Sequence, residues 1–499
     1  MKQSDKKKFN TEKNQSSKNR KKSTYDLAKI FTAIKKFVNR IPLGLILQRT
    51  IKTIVICACS VVIIFSLFLL CRTRIPLSDV FTTGRISILK NRPENITRDI
   101  IIDLVSLGER GGISVLTKIL IEDIAKKRPN WRFLILTSKN RKHMYDYLPR
   151  SDNVKRIEVN ISPSPLIYVQ RPFKSQLFGK IQDKLTQLLH FDAVFCDNNC
   201  DLIWDPIGDC SLCNFVIVPR ISTIHDLACF NNDPRSFAAK DKALKAYLTT
   251  NAIHFSKKII TVSEFSQKQI CDEFHVSKNF VKHVPIQLGT RVYSVVETKK
   301  SITVLNKYRL KPQKYFIFCS SWWKNKNHGN LMKAFNKFAQ KNSDIKLILV
   351  GKHPGMFESR PITDYCSDRL IIAGFVPDEE LGILLKNALA FIHPSVYEGF
   401  GMPIIEAMAN GIPVACSNVA SLPEIAGSAA LLFDPFNVDS ITQAMHRLAD
   451  DPQLRKELIK KGYEQAKKYS DRDAMVDEYI RVMEEVMREN DLKKATMKK

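Results

Sequence analysis

From about Arg98 onward, the sequence alternates short apolar runs rich in β-branched residues with stretches of helical periodicity. Typical runs are Asp99–Val105 and Arg132–Ser138 in the first half, and Tyr315–Ser321 and Lys346–Gly351 in the second. Such runs have the length and composition of buried strands. Their alternation with helices predicts parallel sheets covered by helices, and therefore an α/β fold class.

The length of the chain indicates how many such sheets to expect. A single hydrophobic core stops growing near ~250–300 residues, whereas this chain has 499 residues, of which 44% are apolar. We therefore predict two Rossmann-like, doubly wound domains that face a cleft, over residues 98–290 and 313–470. An amphipathic segment over residues 472–490 is expected to be a helix that packs across their junction. Ligands of such sheets bind at the carboxyl ends of the strands.

An uncharged segment precedes these domains. Residues 53–71 are nineteen consecutive residues without a charge, flanked by Lys52 and Arg72. At ~1.5 Å per residue they nearly span a hydrocarbon core of ~30 Å. We predict one transmembrane helix here, because the residues before it could not bury such a stretch in a core.

The charge of the chain is distributed unevenly. There are 78 Lys+Arg against 50 Asp+Glu, a net charge of +28, and residues 1–52 alone hold 15 of these basic residues and 3 of the acids. The amphipathic part of this arm, Asp26–Gln48, is expected to lie on an anionic membrane surface. For residues 1–24, a solvated tail is an equally good interpretation. Nucleic-acid binding is the alternative that the charge suggests, but the sequence contains no recognition module for it.

The sequence SVYEGFGMPIIEAMAN, which follows a predicted strand, carries the most informative pattern. Glu398 comes at the strand end, Gly399 and Gly401 follow it, Pro403 occupies a typical first helical position, and Glu406 lies one turn into the helix. Glycines before a helix N-terminus let the backbone approach an anion, which the helix dipole also favours. The spacing suits a nucleotide sugar: one carboxylate for ribose hydroxyls, one near the sugar, and amides for the diphosphate.

Several ordered motifs resemble those of the retaining glycosyltransferases of family four, which have the GT-B fold of two Rossmann domains. The segment Glu398–Glu406 matches that family's Glu-x7-Glu signature. The flanking matches are Gly374–Leu381, Ala409–Val414 and Ser421–Glu424. The looser matches in the first half are Gly111–Gly112, Thr223–Leu227 and Thr261–Ser266. The resemblance spans about Asp103–Tyr469.

The resemblance implies a role for each matching residue. Glu406 would bind the ribose of the donor, Glu398 and His225 would contact the transferring sugar, and Lys326 would offset charge on the departing diphosphate. Ser263 is a candidate on the acceptor side, and no general base or nucleophile is assigned. The other donor-binding positions implied are Gly112, Gly399, Phe400, Gly401, Met402 and Pro403.

One position departs from the family's pattern. Many members carry an arginine a few residues before the phosphate-binding lysine, and the corresponding residue here is Ser321. Lys324 is the nearest substitute, but lysine lacks the planar fork of arginine. Trp322 and Trp323 are also unusual, and stacking on a sugar or base competes with burial as their role. The alternative function is therefore a scaffold that binds nucleotide sugars without transfer.

Four cysteines are close together before the strand that ends near His225. Their spacing suits a tetrahedral zinc site of thiolates, although the resemblance implies no such site. We expect plain thiols first, a zinc site second and disulfides third, and no cofactor is expected to be required. The four are Cys196, Cys200, Cys210 and Cys213.

Together these features predict a membrane-anchored transferase. It would move a hexose of the mannose or glucose type from a UDP- or GDP-sugar to a lipid-linked or envelope-glycan acceptor, such as lipopolysaccharide. Lys/Arg bias places the arm in the cytoplasm, and a single pass would then put the domains on the far side of the membrane, whereas bacterial nucleotide sugars are cytosolic. A re-entrant helix, or a first pass that begins at Pro42–Gln48, would reconcile the two. We predict a single-pass protein of the bacterial inner membrane with cytoplasmic catalytic domains. The alternative is a lumenal type II anchor in a eukaryote.

Overall fold

The computed structural model describes residues 92–104, 112–138, 146, 148–149, 151–159, 200–209, 218–231, 233, 239–287, 298–342, 344–353, 356–357, 360–361 and 367–497. All of them belong to one compact unit, Ile86–Lys499. The predicted arm over residues 1–52 and the predicted transmembrane segment over residues 53–71 lie outside these ranges. Within the ranges given, no helix has both the length and the apolar content needed to cross a bilayer.

The first half of the described unit is a parallel sheet of seven strands in the order β3-β2-β1-β4-β5-β6-β7. The strands are β1 (Arg98–Asp103), β2 (Trp131–Ser138), β3 (Val154–Val159), β4 (Leu202–Asp205), β5 (Arg220–Ile224), β6 (Lys258–Thr261) and β7 (Val281–His283). The described helices of this lobe are α1 (Gly112–Lys127), α2 (Ala239–Phe255) and α3 (Glu264–Phe274), with a 3-10 turn at Ala228–Phe230. The central strands β1, β4 and β5 are buried almost throughout because helices cover both faces of such a sheet.

The second half contains a parallel sheet of six strands in the order β12-β9-β8-β13-β14-β15. Its strands are β8 (Tyr315–Cys319), β9 (Lys346–Val350), β12 (Leu370–Gly374), β13 (Ala390–His393), β14 (Val414–Ser417) and β15 (Ala430–Phe433), and a small hairpin pairs β10 (Met356–Phe357) with β11 (Arg360–Pro361). The helices are α4 (Thr298–Lys307), α5 (His328–Ala339), α6 (Asp378–Lys386), α7 (Met402–Ala409), α8 (Leu422–Ala426), α9 (Val438–Asp450) and α10 (Pro452–Lys467), with a 3-10 turn at Lys324–Lys326. The predicted α/β class, with two parallel sheets, is confirmed.

The order of the strands locates the crevices of both sheets. The direction in which successive strands are added reverses between β8 and β13 in the second sheet and between β1 and β4 in the first. Ligands of doubly wound sheets bind at this switch point, outside the carboxyl ends of the strands. The segments that leave β8 and β13 contain Lys326 and Glu398, so both residues lie at the switch point of the second sheet.

The final helix, α11 (Arg472–Met497), returns to the first sheet. Tyr479 of this helix is fully buried and packs edge-on against Trp204 of β4, with ring centroids 5.7 Å apart. Ion pairs join the helix to α1, to Arg128 directly after it and to β6: Lys127–Asp477 at 2.7 Å, Arg128–Glu484 at 2.8 Å and Lys258–Glu485 at 2.8 Å. The first lobe is therefore completed by residues that follow the second lobe in the chain.

Candidate active site

A lysine, a glutamate and a histidine form a connected group at the switch point of the second sheet. Lys326 Nζ lies 2.6 Å from Glu398 Oε1, and His393 Nε2 lies 3.2 Å from the same oxygen. His393 is the last residue of β13 and is fully buried, whereas the Glu398 side chain keeps 13% of its surface exposed. The group thus presents a paired charge at the edge where a ligand would bind.

Backbone contacts between the two flanking loops hold this pair in place. The N–H of Val396 donates to the Asn325 carbonyl at 2.8 Å, and Asn325 Nδ2 donates to the Tyr397 carbonyl at 3.0 Å. Asn327, with a left-handed φ of 57°, begins α5 and donates through Nδ2 to the Pro394 carbonyl at 3.0 Å. The loop that carries Lys326 is therefore attached to the loop that carries Glu398.

The electrostatics of the group keep Glu398 ionised. Burial alone would raise the pKa of Glu398, but the charge of Lys326 and the hydrogen bond from His393 outweigh it, so that the pKa lies well below its usual range. Burial lowers the pKa of His393. Burial, with the positive charge of Lys326, also lowers the pKa of neighbouring His328 to about 3. The two histidines are neutral at physiological pH, so the positive charge of Lys326 and the negative charge of Glu398 leave the group without net charge.

Hydroxyl groups from both lobes fix the backbone of the glycine loop. Ser421 Oγ donates to the carbonyls of Glu398 at 2.9 Å and Phe400 at 2.8 Å, and Ser263 Oγ of the first lobe donates to the carbonyl of Gly399 at 2.7 Å. A trans peptide holds its C=O and the following N–H on opposite sides. The N–H groups of residues 399–401 therefore face away from these hydroxyls, as backbone donors to an anion must.

The residues after this loop begin α7. Gly401 has a φ of 110°, which favours glycine, and Met402 and Pro403 form the first turn. Glu406 is half-buried on α7 and lies close to Cys319 at the end of β8, where burial first, and the charge of Glu406 second, raise the pKa of the thiol. The two glutamates of the motif are thus both near the carboxyl edge of the sheet, Glu398 after the end of β13 and Glu406 near the end of β8.

In the first lobe, His225 is buried and its Nε2 donates to the carbonyl of Pro206 at 2.8 Å. Burial lowers the pKa of this imidazole, so it is neutral at physiological pH. The backbone of His225 also touches the glycine loop of the second lobe, because a Cβ added to Gly399 would lie 2.1 Å from the His225 carbonyl oxygen. His225 and Glu398 are therefore brought close by an approach that only glycine permits.

The remaining predicted positions are more scattered. Gly112 is exposed at the start of α1 with open space around it, and Gly111 lies outside the described residues. Ser321 is exposed, Trp323 is 65% exposed, and Trp322 stacks on His328 with ring centroids 4.1 Å apart. Trp322 is thus a packing residue in this structure.

The cysteine cluster is only partly described. Cys200 is buried, and its Sγ lies 3.2 Å from the Leu202 carbonyl oxygen. Cys196, Cys210 and Cys213 lie outside the described ranges. Among the described residues, no group of three or more potential metal ligands comes together. The zinc site therefore stays a prediction.

Sequence reasoning gave no role to three residues that hold the site. His393 was included only in a predicted strand, Ser421 only in a flanking motif, and Tyr397 only in the motif sequence. Tyr397 donates to Gln269 Oε1 at 2.6 Å and accepts from the N–H of Leu227 at 3.2 Å, so it joins the lobes. A histidine at the end of a strand of otherwise apolar residues, directly before Pro-Ser, was the one available signal.

The fold and the site define a two-lobed α/β protein with a glycine loop before a helix at a sheet switch point, the place where doubly wound sheets bind their ligands. Its family follows from comparison with known proteins. Residues 303–465 match the sequence model "Glycosyl transferases group 1". The chain therefore carries a domain of the group 1 glycosyl transferases.

Curated relatives extend the similarity beyond this domain. The chain is 30% identical over 257 residues to the O-antigen chain mannosyltransferase B of Escherichia coli, covering 50% of this chain and 66% of that protein. It is 30% identical over 213 residues to the MMP alpha-(1->4)-mannosyltransferase of Mycolicibacterium hassiacum, covering 42% of this chain and 49% of that protein. The chain thus spans about half to just under two thirds of the length of these relatives.

Solved structures identify the fold. Sucrose-phosphate synthase from Thermosynechococcus elongatus superposes with a TM-score of 0.60 at 19% identity, covering 79% of this chain and all (100%) of that one. HepE from Anabaena, in complex with UDP and glucose, superposes with a TM-score of 0.56 at 17% identity, covering 78% and 100%. The two parallel sheets have the GT-B arrangement of these structures, as predicted.

Proposed function

We propose that the chain is a retaining glycosyltransferase that moves a hexose from a nucleotide-diphosphate sugar to a glycan or lipid-linked acceptor. The observation that carries the proposal is the Lys326–Glu398 pair at 2.6 Å, beside the glycine loop. Serine hydroxyls bond to the carbonyls of this loop, and its N–H groups point the other way. This arrangement supplies a cation for a departing diphosphate, a carboxylate for sugar hydroxyls, and backbone donors between them.

The reaction would need only these groups. The bond between the anomeric carbon and the phosphate oxygen breaks, and the acceptor oxygen bonds to the same face of that carbon. The acceptor proton passes to the departing phosphate oxygen, whose charge Lys326 stabilises. Glu398 positions the sugar, and Glu406, half-buried on α7, binds ribose hydroxyls. No covalent intermediate on the protein is part of the proposal.

Mannose is the favoured hexose and glucose the second. Both relatives described above are mannosyltransferases by name, and the E. coli protein acts on an O-antigen chain. An envelope polysaccharide is therefore the proposed acceptor class. Donor choice can be tested directly by offering the full-length chain GDP-mannose, UDP-glucose and ADP-glucose and measuring thermal stabilisation and donor turnover. A true donor should raise the melting temperature because it binds the native state alone.

The decisive variant is Glu406→Ala, with Glu464→Ala as its control. Glu464 is an exposed glutamate of α10. Transfer and donor hydrolysis should fall below detection with Glu406→Ala and remain at the native rate with Glu464→Ala. Unchanged turnover with Glu406→Ala would refute the site. Donor binding without turnover in the native chain would instead favour the scaffold function, which the exposed Ser321 suggests.

We further propose that residues 53–71 anchor the chain in a bacterial inner membrane, with the catalytic domains in the cytoplasm and the basic arm on anionic lipid. The uncharged stretch supports the anchor, and the surplus of lysine and arginine before it supports contact of the arm with anionic lipid. Because the same surplus keeps the arm in the cytoplasm, cytoplasmic domains require that residues 53–71 are re-entrant or that residues 42–48 begin a first pass. Protease treatment of sealed inside-out vesicles is the test. Degradation of the described unit is expected, and its protection would favour the opposite orientation.

A further inference from the structure

One buried group of the site has no part in the mechanism above. His393 is fully buried at the end of β13, between the rings of Phe391, stacked at 5.9 Å, and Phe318, edge-on at 5.6 Å. Its Nε2 lies 3.2 Å from Glu398 Oε1 and 3.2 Å from Ser395 Oγ. A polar ring in this position needs a reason, because burying it costs free energy unless its hydrogen bonds compensate.

The surroundings fix the tautomer of this imidazole. His393 Nδ1 is buried and has no hydrogen-bond partner among the described residues. An imidazolium would leave an N–H unpaired there, and burial lowers the pKa of His393, so the ring is neutral. The ionised carboxylate of Glu398 only accepts hydrogen bonds. The single ring proton therefore lies on Nε2 and is donated to Glu398.

Lys326 would interact with two anions during the proposed reaction. In this structure its Nζ is 2.6 Å from Glu398, and the donor diphosphate would bring a second, larger negative charge to the same cation. As Lys326 shares its charge with the phosphates, Glu398 loses part of what keeps it ionised. His393 carries no net charge, so a diphosphate attracts it little, and its N–H remains on the carboxylate.

We propose that His393 is the positioning residue for Glu398: its Nε2–H holds the carboxylate ionised and aimed at the transferring sugar while Lys326 binds the departing diphosphate. This inference rests on the proposed transferase function. The titratable and charged groups that act on His393 are Glu398, Lys326 and, across the ring of Phe318, His328. Of these three groups, only Glu398 is an anion, and its Oε1 lies within hydrogen-bond distance of the Nε2–H.

The test is the pH profile of kcat/KM for the donor that the native full-length chain turns over. His393→Phe keeps the ring volume and removes the donor, so the pKa of Glu398 should rise. The rate then falls as the pH drops through that value, and the midpoint of this acid limb should lie about 1–2 pH units higher than in the native protein. At pH 7.5 Glu398 stays ionised in both proteins, so the expected fall in kcat/KM there, about 10- to 100-fold, comes from a carboxylate that is no longer aimed at the sugar.

Two variants separate positioning from mere packing. Gln places an amide N–H near the position of Nε2, so His393→Gln should restore most of the native acid limb, although it packs worse than Phe. His446→Phe is a remote control on α9, where the histidine is 27% exposed and bonds to Asn342. An acid limb that is the same in His393→Phe and the native chain, or one that His393→Gln leaves as high as His393→Phe, would overturn the proposal.

A measurement on the native chain covers the case in which His393→Phe does not fold. Long-range proton–nitrogen correlation spectra of histidine-labelled protein at pH 6.5, assigned through His393→Gln, should show a neutral ring protonated on Nε2, with and without UDP. A ring protonated on Nδ1, or an imidazolium, would contradict the inference. If the native chain turns over none of the three donors, the transferase proposal fails instead, and the spectra still judge the contact.

Discussion

The carboxyl edges of the two sheets use their charged residues in different ways. In the second lobe, Lys326 and Glu398 pair with each other at 2.6 Å at the mouth of the crevice. In the first lobe, Asp205 is buried and accepts from the N–H groups of Ile207 at 3.0 Å and Gly208 at 2.9 Å, within its own loop. The charges of the second edge therefore pair across two loops at the crevice, whereas the charge of Asp205 fixes the conformation of its own loop.

The histidines follow the same division. The Nε2 of His225 contacts a backbone carbonyl, that of Pro206, whereas the Nε2 of His393 contacts the carboxylate of Glu398. The loop that carries Pro206 is tied to α2 by the ion pair between Asp209 and Lys245. The comparison suggests that changes in the second lobe alter the chemical step most, and that changes in the first act mainly through sugar and acceptor placement.

The largest effect is expected from Glu398→Gln. The change preserves shape but removes the negative charge, which leaves Lys326 without its counter-ion. Loss of one electrostatic contact to the reacting group costs about 10²–10³-fold in kcat. Single-turnover measurements with saturating donor should show this loss, together with a lower melting temperature, because the variant leaves Lys326 largely buried without its counter-ion. A decrease in kcat of less than threefold would mean that the charge of Glu398 at the second edge does not contribute to the chemical step.

Gly399→Ala should break the junction between the two edges. The new Cβ would lie 2.1 Å from the His225 carbonyl oxygen, so the backbone of one lobe must move. We expect kcat/KM to fall about 10- to 100-fold, since misplacement by about an ångström has that cost, and the melting temperature to fall as well. Gly462→Ala is the matched control. Gly462 lies within α10, where alanine favours the helix, and its new Cβ would meet the Met408 side chain at 3.4 Å, an ordinary contact.

Mild acid should loosen the protein through its buried neutral histidines. His328, with a pKa lowered to about 3, binds a proton only in the unfolded state between pH 6.5 and that value, so stability falls as the pH drops. From pH 6.5 to pH 5 this group alone contributes a loss of about 2 kcal/mol. Denaturant unfolding at both pH values should show it, and His328→Gln should show a smaller difference.

A more modest change is expected in the first lobe. Replacing His225 by Phe removes a neutral donor rather than a charge, so kcat/KM should fall only about tenfold. Burial lowers the pKa of His225 in the native protein, so this ring should not titrate near pH 6.5. The pH profiles of the native protein and of His225→Phe should therefore have the same shape around that pH. A loss as large as that of Glu398→Gln would remove the distinction between the two edges.

The smallest effect should come from Glu424→Gln. The Glu424 carboxylate of the second lobe accepts from the N–H groups of Glu264 at 2.8 Å and Phe265 at 2.9 Å, at the start of α3 in the first. An amide keeps one acceptor but loses the charge that favours a helix N-terminus, worth about 0.5–1 kcal/mol. Calorimetry should detect a melting temperature about 1–4 °C lower, with unchanged kcat.

The parts of the site that sequence could predict are those written along one stretch of chain. The alternation of strands and helices predicts both sheets, and the spacing of Glu398, the two glycines and Glu406 predicts the strand–helix connection in which the candidate site lies. Lys326 was placed by resemblance to a family motif. These features depend on neighbours in sequence, where periodicity and turn chemistry operate.

What sequence could not predict depends on contacts between distant residues. The approach of Gly399 to His225 joins positions 174 apart, and the Glu424 cap on α3 joins positions about 160 apart. His393 looks like any strand residue until the fold places Glu398 Oε1 beside its ring. Such contacts leave no local pattern, because the partner's position is set by packing of the whole lobe.

The return of α11 to the first sheet affects how the protein is made on the ribosome. Trp204 leaves the exit tunnel some 270 residues before Tyr479, which covers it. Until α11 is synthesised, the indole of Trp204 is uncovered, and Arg128 and Lys258 lack their partners on that helix. Domains generally fold one after another as they are synthesised, whereas this lobe cannot be completed until the last helix is made. Chains that stop before residue 472 would expose this surface, and binding to chaperones is their expected fate.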